Sequence, residues 1–146
     1  MSKNKQIKFG CDISQNDKIP KVKQNPESYF SKSPSWCFSK CDIGYDKWSI
    51  YKSDVINDIL PKLISLEQRK WADIISDKKH NHWIKCEDFS KEAQNRITSI
   101  PQSFDALFSL RLTGTFRLFG FIEDGVYYVI WVDPNHEVCP SNLSHT

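Results

Sequence analysis

Three apolar runs in the last third of the chain alternate with a period of two residues. They span residues 106–113, 116–123 and 126–133, and tight turns separate them. A period of two is typical of β-strands. Asp124-Gly125, between the second and third runs, is a strong signal for a type I′ hairpin. The pattern predicts an antiparallel sheet near the C-terminal end of the chain.

The alternation also divides the predicted strands between two faces. One face of the first two runs is apolar, whereas the other carries Arg111, Arg117 and aromatic side chains. In the third run, the same alternation assigns Tyr127, Val129 and Trp131 to one side. We expect one face of the sheet to pack on helices and the other to form an aromatic–arginine surface.

Helical spacing of apolar residues replaces the strand pattern earlier in the chain. A stripe over residues 54–76 predicts a helix pair or a kinked helix, because Pro61 inside it lacks a backbone donor. A second helix is predicted over residues 91–100, with Ser90 as its N-cap and Pro101 at its end. The apolar stripe of the first segment comprises Ile56, Ile59, Leu60, Leu63, Leu66, Trp71, Ile74 and Ile75.

The other segments complete an α+β domain, in which a helical layer packs on a C-terminal antiparallel sheet of three to four strands. Residues 83–85 are the candidate fourth strand, and the aromatic residues over 35–52 predict a hairpin or two strand fragments. The expected single domain over residues 1–146 has an irregular or partly disordered arm over 1–34, a hairpin and helical part over 35–103, and the sheet over 104–140.

Charge is distributed unevenly. The net charge of +2 divides into +4 over residues 1–32, +1 over 33–103 and −3 over 104–146. A dedicated binder of duplex DNA carries a stronger basic footprint, so nucleic-acid binding here would be local or assisted by a partner. The chain has neither a run of the ~18 apolar residues that a membrane span requires nor a signal-peptide core. We therefore expect a cytoplasmic protein without a membrane partner.

Cysteine and histidine spacing does not favour a metal site. The five cysteines contain no CxxC pair, which predicts reduced thiols. His80 and His82 with Cys86 lack an evident fourth ligand. We predict neither metal nor cofactor, and a metal-dependent hydrolase built on His80, His82 and Asp133 is kept as an alternative. The cysteines are Cys11, Cys37, Cys41, Cys86 and Cys139.

Arg111, Arg117, Asp133 and His136 form the main candidate site. Arginine provides a permanently charged fork that matches phosphate oxygens. Histidine exchanges protons near neutral pH, and a carboxylate can orient it. These groups suffice for RNA cleavage, and His82 could supply a second acid or base. The alternative is that both arginines are solvated strand residues and that His136 is an ordinary loop residue.

The order of these segments resembles the RelE/ParE-type bacterial toxin superfamily. The resemblance covers about the last 45 residues, where an arginine-bearing strand precedes a second "RL" strand, an acidic-Gly turn, an apolar strand and a terminal histidine. The matching pieces are Leu110-Arg111-Leu112, Phe116-Arg117-Leu118-Phe119-Gly120, Glu123-Asp124-Gly125, Tyr127 to Val132, and Asp133-Pro134-Asn135-His136-Glu137-Val138.

This resemblance implies a toxin-like endoribonuclease that cleaves mRNA without a metal ion. RNA on the ribosome and a cognate antitoxin would be its partners. The arginines would hold phosphate, and Asp133 with His136 would transfer protons. We assign nucleic-acid binding to His82, Lys70 and Trp131. The alternative function is a non-enzymatic phage-defence or regulatory module that binds its partner through the aromatic sheet face.

Overall fold

The computed structural model describes residues 28–140, and its centre is a five-stranded sheet. The strand order is β1-β5-β4-β3-β2, and β1 is parallel to β5 whereas the other neighbours are antiparallel. The α+β class is confirmed. The predicted count of three to four strands is too low, because β1 joins the sheet from the N-terminal side. The strands are β1 (Ser35–Cys37), β2 (Asn81–Lys85), β3 (Ala106–Thr113), β4 (Phe116–Glu123) and β5 (Val126–Asp133).

The helices are short and interrupted. The expected segment over 54–76 consists of a π-helical turn (Val55–Ile59), α1 (Leu60–Leu66) and α2 (Trp71–Ser76), and α3 spans Lys91–Thr98. Pro61 lies in the first turn of α1, where its missing N–H removes no helical hydrogen bond. The helix therefore starts at this point and is not kinked there. Between β1 and α3, 3₁₀ turns span Asp46–Trp48, Ile50–Lys52 and Cys86–Asp88.

Both faces of the sheet are covered. On one side, which we call the α1 face, α1 and α2 pack on apolar residues of β3, β4 and β5. On the other side, the α3 face, α3 and the turn around Trp48 pack on aromatic residues of β4 and β5. Trp48 is 1% exposed and Trp131 is 0% exposed. The prediction of an exposed aromatic surface is therefore wrong, because these rings form a second core.

A bulge in β5 alters the predicted side-chain alternation. Phe119 pairs with Trp131 and Gly120 with Val129, which leaves Ile130 as an extra residue. Trp131 consequently lies in the core of the α3 face, whereas Val129 lies in that of the α1 face. The prediction that Val129 and Trp131 share a face is wrong for this reason. A Cβ on Gly120 would lie 2.0 Å from the Tyr128 carbonyl oxygen, so the bulge also requires glycine at this position.

The turn between β4 and β5 has the predicted geometry. Asp124 has φ 57° and Gly125 has φ 86°, the two positive values that a type I′ hairpin requires. Residues 1–27 of the predicted arm over 1–34 lie outside the described residues. Residues 28–32 form turns. Within the described range, no helix is both long and apolar enough to cross a membrane.

Candidate functional site

Three of the predicted site residues form one row across the sheet. Arg111 of β3 pairs with Arg117 of β4, and Arg117 pairs with Asp133 of β5. Directly opposed residues of antiparallel strands project from the same face. The row therefore lies on the α3 face, two residues along each of β4 and β5 from the buried pair Phe119 and Trp131.

Two histidines approach this row from different elements. His82 of β2 pairs with Ser109 of β3, which is two residues from Arg111 on the same face. His136 lies in the loop that follows β5 and has a left-handed backbone with φ 59°. Burial lowers the pKa of His136, and the nearby charges of Arg117 and His82 lower it further. The structure thus brings Arg111, Arg117, His82 and His136 together, and we call these four residues the basic corner.

Asp133 holds the loop that carries His136. Its side chain is 0% exposed. Its Oδ1 accepts the Glu137 N–H at 2.9 Å, and its Oδ2 accepts the Val138 N–H at 2.9 Å. Burial raises the pKa of Asp133, although these two backbone donors oppose the rise. Because both oxygens already accept hydrogen bonds inside the protein, Asp133 is suited to position His136 and not to exchange protons with a substrate.

Arg117 is only partly satisfied by its surroundings. Its Nε is buried and has no hydrogen-bond partner among residues 28–140. Burial and the neighbouring Arg111 lower the pKa of Arg117, whereas Asp133 and Cys139 oppose this shift. Like charges placed directly opposite each other in a sheet destabilise it. An anion at the corner would relieve this repulsion and supply a strong acceptor.

Arg111 is anchored more firmly. Its backbone N–H donates to Asn81 Oδ1 at 3.0 Å, and its Nε donates to the Gly114 carbonyl oxygen at 3.1 Å. Asn81 is buried, and its amide nitrogen donates to the Ile74 carbonyl oxygen at 3.1 Å. Asn81 therefore ties β3 to α2 beside the corner. Sequence reasoning missed this residue, since an isolated asparagine at the start of a strand carries no distinctive signal.

Two residues that were assigned to nucleic-acid binding do not lie on the corner. Trp131 is completely buried, and its indole N–H donates to Asp42 Oδ2 at 2.8 Å, so its ring cannot stack on a base. Lys70 is exposed, but it caps the start of α2, which packs on the α1 face. The assignment of Trp131 is corrected, and Lys70 is separated from the basic corner by the sheet.

The metal-site alternative receives no geometric support. His80 is bound to Asp77, with 3.1 Å between Nδ1 and Oδ2, whereas His82 belongs to the basic corner and Asp133 is occupied by backbone donors. No group of three or more His, Cys, Asp or Glu side chains within residues 28–140 could hold a metal ion.

Sequence reasoning also missed a partly buried ion pair next to the sheet. Asp42 accepts from Arg96 Nε at 2.9 Å, from Arg96 Nη2 at 2.7 Å and from Trp131 Nε1 at 2.8 Å. Hydrogen bonding to Arg96 is the main reason why the pKa of Asp42 is lowered. This network fixes the position of Trp131 beneath α3. It thereby helps to cover the part of the α3 face that lies away from the basic corner. It has a structural role.

Comparison with protein-family models, curated proteins and solved structures found no match. The basic corner must therefore be interpreted from its own chemistry. It combines two guanidinium groups, one of them with an unpartnered buried donor, with two histidines that approach from separate elements. Such a set can bind a phosphate diester and exchange protons on both sides of it.

Proposed function

We propose that this protein is a metal-independent endoribonuclease whose active site is the basic corner. The observation that carries the proposal is the convergence of Arg111, Arg117, His82 and His136, together with the unpartnered Nε of Arg117. Two arginines directly opposite each other oppose the stability of the sheet. The negative charge of a phosphate diester bound between the two guanidinium groups would attract both of them and offset their repulsion.

The chemistry needs only groups that the corner contains. One histidine removes the proton of an RNA 2′-hydroxyl, and the 2′-oxygen then forms a bond to the adjacent phosphorus. The bond from phosphorus to the 5′-oxygen breaks, and the other histidine gives that oxygen a proton. The products are a 2′,3′-cyclic phosphate and a 5′-hydroxyl end. Arg111 and Arg117 would stabilise the extra negative charge on the phosphorane oxygens.

His136 is better suited to be the base. A general base must be neutral before it acts, and burial together with Arg117 favours the neutral form of His136 by lowering its pKa. His82 is exposed and stands on β2, across the row from the loop of His136. It is therefore our candidate for the acid. If His136 is the base, the acidic limb of the pH–rate profile will fall below the ordinary histidine pKa of about 6.5.

Cleavage of a single-stranded RNA by the purified full-length protein in EDTA tests this proposal. We expect cyclic-phosphate ends on the upstream products, and no cleavage of the same sequence with 2′-O-methyl riboses. His136→Ala should lower the rate constant by about 10²–10⁴-fold, since it removes a general base. Arg117→Gln should lower it by about 10²–10³-fold, since it removes a charge that stabilises the transition state.

Asn135→Ala is the matched control, because Asn135 is an exposed residue of the same loop. It should cleave at the wild-type rate. Absence of cleavage by the wild type, or equal rates in the wild type and His136→Ala, would contradict the proposal. Membership of the RelE/ParE-type toxins, a cognate antitoxin and a requirement for the ribosome stay predictions. Growth of a bacterial host that expresses wild type or His136→Ala addresses toxicity separately.

A further inference from the structure

A polar cleft opens beside the basic corner, around the edge of the sheet. It has a volume of about 340 Å³ and lies between α1, the start of β2 and the end of β3. Its lining includes Lys62, Ser65, Arg69, Arg111 and Thr113. Three of these residues are cations and two carry hydroxyl groups. This composition suits an anion with several oxygen acceptors.

The lining of this cleft has an excess of positive charge, with Lys62, Arg69 and Arg111 against the single carboxylate of Asp77. Lys62 and Arg69 form no ion pair with a carboxylate among residues 28–140. The carboxylate in the lining, Asp77, lies 3.1 Å from His80 Nδ1, and neither Lys62 nor Arg69 forms an ion pair with it. A solvent-exposed helix face usually alternates charges of both signs, whereas this lining concentrates cations in a concave site. Concave sites in which one sign of charge predominates focus the electrostatic field on a ligand.

Arg111 connects the cleft to the basic corner. Pairing between β2 and β3 ends at Asn81 and Leu110, so the edge of β3 is not covered by a strand from Arg111 onward. Arg111 lies directly opposite Arg117 on one side and lines the cleft on the other. Lys62 and Arg69 lie on the α1 side of the sheet, so an extended strand bound at the corner reaches them by bending around this open edge.

We propose that the cleft is a second phosphate subsite, which binds the backbone of single-stranded RNA next to the phosphate held at the basic corner. This inference rests on the proposed function, because it assumes that RNA occupies the corner. Lys62 and Arg69 each hold one flanking phosphate, and Arg111 lies between them and the basic corner. The cleft binds RNA without regard to base identity, since its cations contact the phosphate backbone.

Binding of 2′-O-methyl oligouridines tests the subsite without cleavage. The variant is Lys62→Gln/Arg69→Gln, and fluorescence anisotropy gives its Kd for an octanucleotide and for a dinucleotide. Each contact to a single-stranded phosphate contributes about fivefold at about 0.1 M salt, from a slope of about −0.7 per phosphate. The double variant should therefore weaken octanucleotide binding by about 25-fold and reduce the salt slope by about 1.4. Dinucleotide binding, which engages the corner alone, should remain unchanged.

The control is Lys40→Gln/Lys52→Gln, which removes two exposed lysines from the segment between β1 and α1, neither of which lines the cleft. It should change octanucleotide affinity by less than about threefold, through screened long-range charge alone. Equal octanucleotide affinity in the cleft variant and this control would overturn the subsite while leaving the proposed function intact.

Other outcomes separate the two proposals. If the wild type neither binds the octanucleotide nor cleaves RNA, the proposed function fails and the subsite fails with it. If inorganic phosphate binds in the cleft but the cleft variant retains full octanucleotide affinity, the cleft is a small-anion site and the RNA assignment is wrong. Circular dichroism of each variant shows whether a loss of binding reflects a loss of folding.

Discussion

Replacement of Asp133 by alanine tests whether this residue holds the His136 loop. The change leaves two backbone N–H groups without an acceptor: that of Val138, which is buried, and that of Glu137, which is partly buried. A buried donor without a partner costs about 1–3 kcal/mol, and water can satisfy the partly buried one at a smaller cost, near 1 kcal/mol. Asp133→Ala should therefore lower the free energy of unfolding by about 2–4 kcal/mol.

Urea denaturation followed by tryptophan fluorescence measures this loss, and Asn135→Ala in the same loop should stay within about 0.5 kcal/mol of the wild type. A loss of less than about 0.5 kcal/mol in Asp133→Ala would refute the role of Asp133 in holding the loop. Asp133→Asn separates positioning from proton transfer in the cleavage assay. If Asp133 only positions His136, both limbs of the pH–rate profile remain and the maximal rate falls. If Asp133 transfers protons, one limb disappears.

Two further predictions concern the sheet and the partly buried ion pair of Asp42 and Arg96. Gly120→Ala should lower the free energy of unfolding by at least about 3 kcal/mol, because its Cβ would meet the Tyr128 carbonyl oxygen at 2.0 Å. Gly114→Ala, which meets nothing within 4 Å but has φ 43°, should cost only about 1–2 kcal/mol in thermal unfolding. The pKa of Asp42 is lowered by Arg96, so its contribution to stability is present above the unfolded pKa of about 3.9 and disappears as pH falls through the lower folded value. The stability difference between wild type and Asp42→Asn should accordingly shrink between pH 6 and pH 2.5, and a difference that does not vary with pH would contradict the assignment.

Strands β3, β4 and β5 were predictable because the sequence signals that mark them are local. Apolar alternation and the Asp124-Gly125 turn placed β3, β4 and β5 with the bounds that the structure has. The same alternation placed Arg111 and Arg117 on one face, as the register shows. Each of these inferences depends on neighbours within a few residues, so no knowledge of the whole fold was needed.

Features that depend on distant contacts could not be obtained in this way. Six successive apolar residues, Tyr127 to Val132, give no indication of which one is extra, so the bulge at Ile130 was missed. The coverage of the aromatic face depends on α3 and on the turn around Trp48, both remote in sequence from the strands. The role of Asp133 depends on amides that follow it in a loop without regular structure.

The parallel pairing of β1 with β5 affects how this chain can fold during its synthesis. Ser35 pairs with Val126, about ninety residues later, so β1 leaves the ribosome long before its partner exists. The hairpins of β3, β4 and β5 join neighbouring segments and can form without a large loss of chain entropy. Addition of β1 closes a long loop and should be the slower step. Until β5 has been synthesised, Trp36 and its neighbours lack the strand against which they pack in the folded protein.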